Sequence, residues 1–150
     1  MRVVIQRVRN ASVNIDGNIK SSISKGLFIL VGIEMVDTIE DAKWLASKIV
    51  NLRIFEDSNG VMNLNVNDVD GEILVVSQFT LHAKTKKGNR PSYINAASPE
   101  IAIPVYEQFI ELLKNLLQKQ VKTGKFGAMM DITLENYGPV TIIIDSRNRE

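Results

Sequence analysis

Three polar side chains crowd the end of an apolar run, Val75-Val76-Ser77-Gln78-Phe79-Thr80-Leu81, and the only histidine of the chain, His82, follows directly. If the run is a strand throughout, alternation puts Gln78, Thr80 and His82 on one face and Ser77 and Phe79 on the other, so Thr80 and His82 are the pair able to meet. A hydroxyl beside an imidazole is the chemistry of a nucleophile and its base, and such a pair wants a third group to orient the base. The neighbouring sequence offers no Asp or Glu for that role. A strand end whose hydroxyls bond to the backbone is the competing reading, and it is the favoured one.

Two further segments carry chemistry. Lys84, Lys86, Lys87 and Arg90 bracket Gly88 in a polar stretch that runs to Ala97 without clear periodicity, so four cations on a glycine-containing loop are available to phosphates. A solvated loop is the plainer account of such a run. Asn136-Tyr137-Gly138-Pro139 is by default a turn. A cis Gly138–Pro139 bond would instead turn neighbouring carbonyls to one side, making a rigid main-chain acceptor for an ammonium group.

The motifs that are missing narrow the field. The sequence has no Walker A loop, no GxGxxG, no HExxH and no EF-hand pattern, so nucleotide, dinucleotide and metal chemistry lack support. With no cysteine and one histidine there is no disulfide framework, thiol nucleophile or Cys/His zinc site, which points to the cytosol. Eighteen basic against seventeen acidic residues give a net charge of +1, so any RNA contact must come from a local patch. Neither a signal peptide nor a membrane span is expected, since the longest apolar run, Leu27 to Ile33, is interrupted by Gly32.

The elements that must position these residues follow from periodicity. One domain is expected over residues 1–150, with 45% apolar and 23% charged residues. Arg2–Arg9 and Ala11–Asp16 read as short strands, and Asp16-Gly17 as a type I′ hairpin turn before a strand over Asn18–Ser24. Gly26–Ile33, apolar without alternation, reads as a central strand covered on both faces. A helix starts after Asp37 or Thr38, with Asp37 and Glu40 spaced as a capping box and Ile39, Ala42, Leu45, Ala46, Ile49 and Leu52 as its buried stripe. Arg53–Glu56 and Val61–Val66 read as a hairpin and Glu72–Leu81 as a strand. A second helix opens at Ser98-Pro99-Glu100, with a kink or later start at Pro104, and Gly124 punctuates its end. Phe126–Leu134 reads as a half-buried strand, Asn136–Pro139 as its break and Val140–Asp145 as the last strand. The sum is an α+β fold of largely antiparallel, barrel-like sheets covered by two main helices.

Gln6-Arg7-Val8, Ser77-Gln78-Phe79-Thr80-Leu81, Lys87-Gly88-Asn89-Arg90-Pro91-Ser92, Phe126-Gly127-Ala128 and Asn136-Tyr137-Gly138-Pro139-Val140-Thr141 together resemble the D-aminoacyl-tRNA deacylase family over the whole chain. The resemblance implies a homodimeric, cytoplasmic, cofactor-free hydrolase with no membrane or DNA partner, which cleaves the ester between tRNA and a D-amino acid, or glycine mischarged on tRNA-Ala. It implies a cis Gly138–Pro139 unit entering the other subunit's pocket, where its carbonyls face the substrate α-amino group and exclude L side chains. Ser77, Gln78, Phe79 and Thr80 would line that pocket beside the ester, Arg7 would hold the Gly-Pro carbonyls, and Phe126, Ala128 and Met130 would shape the adenosine site. Lys84, Lys86, Lys87 and Arg90 would meet tRNA phosphates. Thr80 as nucleophile competes with catalysis by positioning, in which the ribose 2′-hydroxyl and a backbone amide near Phe79 or Thr80 assist water. His82 stands where the family is expected to carry an aromatic residue. The rival readings are a non-catalytic tRNA- or RNA-binding module and a Thr/His hydrolase of small D-amino-acid esters or amides.

Overall fold

The first strand is the frame on which the rest of the sheet hangs. In a computed structural model that describes residues 1–150, the two runs read at the N-terminus are one strand, β1 (Arg2–Ile15). Its first half pairs antiparallel with β3 (Gly26–Gly32), and its second half with β2 (Asn18–Ile23) across the expected turn, where Asp16 and Gly17 have φ of 51° and 77°. Along its other edge β1 pairs with β8 (Asp131–Asp145). The β1–β8 register slips on both sides of Val8, which breaks the alternation of β1. Val3 and Ile5 therefore face the helices, whereas Val8, Ala11 and Val13 face the interior of the curled sheet.

β3 is buried almost throughout, as its unbroken apolar run requires. On its far side lies β6 (Glu72–Ser77), parallel to it, and beyond that the short, parallel β7 (Lys122–Thr123). The Ser21 hydroxyl of β2 donates to the Thr123 carbonyl of β7 at 2.6 Å and draws the sheet into a nearly closed barrel. Pairings to β1 are antiparallel and those to β6 are parallel, so the sheet is mixed.

The crossover from β3 to β6 carries α1 (Ile39–Asn51) and a small hairpin of β4 (Phe55–Glu56) and β5 (Met62–Leu64), shorter than the sequence suggests. The capping box of α1 is formed by Thr38 and Asp41, one residue later than expected. Asp37 is instead buried, with one carboxylate oxygen 2.5 Å from the Met1 ammonium and the other accepting the Glu34 N–H. The second helix, α2 (Pro99–Leu117), runs through Pro104 without interruption and ends at Gln118, which takes the left-handed conformation at φ 55°. Gly124 thus lies beyond the cap. Phe126–Met130 is turn and irregular chain, and β8 begins at Asp131 and stays extended to Asp145, although its pairing with β1 skips residues 137–140, which bulge out as a loop between Asn136 and Thr141. No helix is long and apolar enough to cross a membrane.

Two apolar clusters result. Val3, Ile5, Leu27, Ile29, Val31, Ile73 and Val75 meet Leu45, Ile49, Phe109 and Leu113 between sheet and helices. Phe28, Leu74 and Val76 join Val8, Ala11 and Val13 inside the curl. Each buried Val, Leu, Ile or Phe among them contributes about 1.5–3 kcal/mol.

Tyr106 of α2 is buried in the first cluster and donates its hydroxyl to the Val75 carbonyl, and burial pushes its phenol up to about 12. A folded-state value above the unfolded one means that this stabilisation is complete below about pH 10 and is lost as pH rises towards 12. We expect urea denaturation to show a loss of about 1 kcal/mol between roughly pH 9 and pH 11 that Tyr106→Phe lacks.

Candidate functional site

The two parallel strands end together, Val31 of β3 in register with Ser77 of β6, and the chain turns sharply after both. A cleft of about 600 Å³ opens at these ends. Ser77, Gln78 and Phe79 enter its wall from the end of β6, Tyr93 and Ala96 from the segment before α2, and Phe126, Ala128 and Met130 from the irregular chain before β8. Candidate residues read from two separate stretches of sequence are thus brought together, with a third stretch that the sequence does not single out.

The strand read through Leu81 stops at Ser77, and Phe79–His82 form a single 3₁₀ turn. Gln78 starts the turn, donating its N–H to the Val31 carbonyl at 2.7 Å and its side-chain amide to the Thr80 hydroxyl at 2.6 Å. The Leu81 N–H then closes onto the Gln78 carbonyl, and Arg2 donates to the Leu81 carbonyl at 2.8 Å. With three residues per turn, Thr80 and His82 no longer share a face, so the pairing expected from strand alternation is absent. His82 is buried and its Nδ1 lies 3.2 Å from Glu34 Oε1. A carboxylate does lie beside the imidazole, but it comes from just beyond the end of β3 and not from neighbouring sequence. Thr80 is half-buried beside the cleft and is not part of its wall.

Phe79 is 55% exposed and meets Tyr93 edge to face, with ring centroids 5.0 Å apart, at the mouth of the cleft. Tyr93 follows the basic loop, whose base is pinned by reciprocal backbone bonds between Lys84 and Ser92 of 2.8 and 3.0 Å. Lys84, Lys86, Lys87 and Arg90 all lie exposed on it, and the ion pairs of the protein lie elsewhere. Tyr93 is not legible from sequence, because an aromatic residue in an aperiodic loop carries no positional signal.

Gly138, Pro139 and Arg7 are not in this cleft. The Gly138–Pro139 bond is cis, and both residues are exposed. The loop that presents them is fastened at both ends. The Asn136 side chain accepts the Val140 N–H at 3.0 Å and donates to Gln6 Oε1 at 2.7 Å, bridging across the three intervening residues. Arg7, only 2% exposed, donates to the Tyr137 carbonyl at 2.8 Å and the Ile54 carbonyl at 2.6 Å, with Glu56 3.7 Å away. Its hydrogen bond therefore goes one residue ahead of the Gly-Pro carbonyls. A Cβ on Gly138, whose φ is 137°, would lie 2.7 Å from the Arg7 guanidinium, so the loop packs directly on that side chain. The Tyr137 ring also receives the guanidinium carbons of Arg7 and Arg9 at 4.5 and 4.1 Å from its centroid.

The same nearly closed sheet with two helices occurs in a solved structure described as a probable eukaryotic D-amino acid tRNA deacylase, at 15% identity over 95% of this chain and 97% of that one, with a TM-score of 0.82. A second, described as c-Myc DNA Unwinding Element Binding Protein, aligns at 41% identity and a TM-score of 0.92 over 97% of this chain and 98% of its own. D-aminoacyl-tRNA deacylases of Bacteroides fragilis and Flavobacterium psychrophilum are each 65% identical over the full length of both chains. Fold, cleft and these likenesses define a hydrolytic enzyme. The family model described as D-Tyr-tRNA(Tyr) deacylase matches residues 4–145, and the chain belongs to that family.

Replacing Arg7 with a side chain of similar length and no donors leaves two carbonyls without a partner. Arg7→Met is expected to lower the unfolding free energy by about 3 kcal/mol, read by chemical denaturation.

Proposed function

We propose that the protein hydrolyses the ester linking a D-amino acid to the terminal adenosine of tRNA, releasing tRNA and free amino acid in the cytoplasm. The observation that carries this reading is the separation of the two halves of the site. Gly138 and Pro139 stand exposed on a loop fastened by Arg7 and Asn136, outside the cleft that holds Ser77, Gln78 and Phe79. A second copy of the chain supplies the missing half, so the working unit is a homodimer in which each Gly138–Pro139 enters the partner's cleft.

In that arrangement the main-chain carbonyls of the selector receive the substrate α-amino group. An L side chain is driven into the Gly-Pro backbone, a D side chain points to solvent, and glycine presents nothing to clash. Glycine mischarged on tRNA-Ala is therefore also a substrate. Phe126, Ala128 and Met130 shape the adenosine subsite, and Lys84, Lys86, Lys87 and Arg90 meet backbone phosphates of the acceptor end.

Catalysis rests on positioning. Thr80 Oγ1 is bonded to the Gln78 amide and has no imidazole facing it, so no base activates it as a nucleophile. The backbone N–H of Phe79 or Thr80 stabilises the developing oxyanion, and the ribose 2′-hydroxyl assists the attacking water. Thr80→Ala is expected to lose activity only in part. Complete loss with unchanged tRNA binding would favour covalent catalysis instead.

The deciding experiment compares release of amino acid from D-Tyr-tRNA and L-Tyr-tRNA by purified protein with a chelator present. Loss of the D-ester alone is expected. Equal loss of both would overturn the selector, and bound but intact D-Tyr-tRNA would favour an RNA-binding module, which the unpaired cations of the 84–90 loop also suit. Neutralising Lys86, Lys87 and Arg90 together is expected to flatten the salt dependence of tRNA binding, by about 0.7–0.9 in log–log slope for each phosphate that these side chains neutralise.

A further inference from the structure

We propose that His82 is a positioning residue for the hydrolytic turn, held by Glu34 and seated on Gly32, and that it sets where Phe79 and Thr80 stand against the ester. The inference rests on the hydrolase reading above and assigns a function to the one histidine of the chain.

His82 closes the 3₁₀ turn that begins next to Gln78, and its side chain is almost wholly buried. Nδ1 is engaged by Glu34, whereas Nε2 is buried without any partner. A phenyl ring would fill the same space with no orphan nitrogen, so packing alone does not account for an imidazole here. What histidine adds is the approach of Nδ1 to the Glu34 carboxylate, at 3.2 Å.

The surroundings are built for that ring. A Cβ on Gly32, the last residue of β3, would lie 2.9 Å from His82 Cδ2 and 3.0 Å from both His82 Nε2 and the Gln78 carbonyl oxygen. Only glycine at that place lets the imidazole and the start of the turn settle onto the strand end. Glu34, in turn, is fixed rather than free. Its N–H donates to Asp37 at 2.7 Å, and it forms a β-bridge with Ala96, in the wall of the cleft.

The turn therefore has two tethers on its outgoing limb, Arg2 on the Leu81 carbonyl and Glu34 on His82, with Phe79 and Thr80 ahead of them. His82 is not part of the cleft wall, so it acts on the reaction only through the turn. Its loss should change turnover more than substrate binding, because most of the tRNA contact lies elsewhere.

The test uses the full chain with D-Tyr-tRNA, comparing wild type with His82→Phe, His82→Asn and Glu34→Leu. His82→Phe keeps the ring and removes the donor, and His82→Asn offers an amide N–H where Nδ1 stood. The expected result is a fall in kcat of about tenfold or more for His82→Phe and Glu34→Leu, with KM within about twofold, the melting temperature retained by at least one of them and turnover largely restored by Asn. Wild-type kcat in both variants would overturn the inference and leave the hydrolase reading intact. So would a loss that tracks melting temperature and is not rescued by Asn. An inactive wild-type protein would overturn both.

Discussion

One strand serves two cores, and the break in its alternation is the constraint from which the rest follows. β1 must bury Val3 and Ile5 against the helices and Val8, Ala11 and Val13 inside the curled sheet, which strict alternation along fourteen residues does not allow. The slips in register with β8 around Val8 resolve the conflict, and they leave Arg7 buried at the junction. A buried guanidinium without partners costs several kcal/mol, so the chain must deliver acceptors to it. They come from Ile54 and Glu56, at the start of the small hairpin, and from Tyr137 in β8. A packing conflict in the first strand thereby fixes the loop that carries Gly138 and Pro139.

The cleft shows the same economy. Its wall is mainly apolar and lacks a general acid or base, and the polar groups at the turn bond to one another. Well-oriented reactants gain effective molarities of order 10⁵–10⁸ M, so the proposed hydrolysis of an already activated ester requires only a site that positions water and stabilises an oxyanion. Such a site depends on rigidity, and the turn is held by β3 through Val31, by β1 through Arg2 and by Glu34 through His82. With a net charge of +1, overall charge supplies no general attraction for RNA, and the proposed phosphate contact rests on the four exposed cations of the loop before Tyr93.

Local rules were sufficient where local forces decide. The Asp16-Gly17 turn, the buried β3 and the apolar stripe of α1 were all legible, as was the gathering of Ser77–Phe79, which rested on a family resemblance. The continuity of β1 was not, because a bulge is set by the partner strand and leaves no mark in composition. Ser77 as the end of β6 was hidden for a similar reason: Phe79-Thr80-Leu81 suits a strand locally, and the turn is imposed by Arg2 and Glu34. Glu34 escaped notice because its partner is distant in sequence. At Gln118 a non-glycine residue takes the left-handed cap that a search for glycine would place at Gly124.

Under the proposed function, choosing substrates with main-chain atoms places demands that the two anchors meet. A side-chain selector has rotamers to lose and chemistry that favours some substrates over others, whereas a backbone loop has neither. Its accuracy depends on how firmly its ends are held. Asn136 clasps Val140 and Gln6, and Arg7 grips the Tyr137 carbonyl from within the core, so Gly138 and Pro139 stand exposed without being loose. In the isolated chain that exposure gains nothing in stability. In the proposed dimer it has a use, because the loop then belongs to a neighbouring cleft and closes over an ester held there.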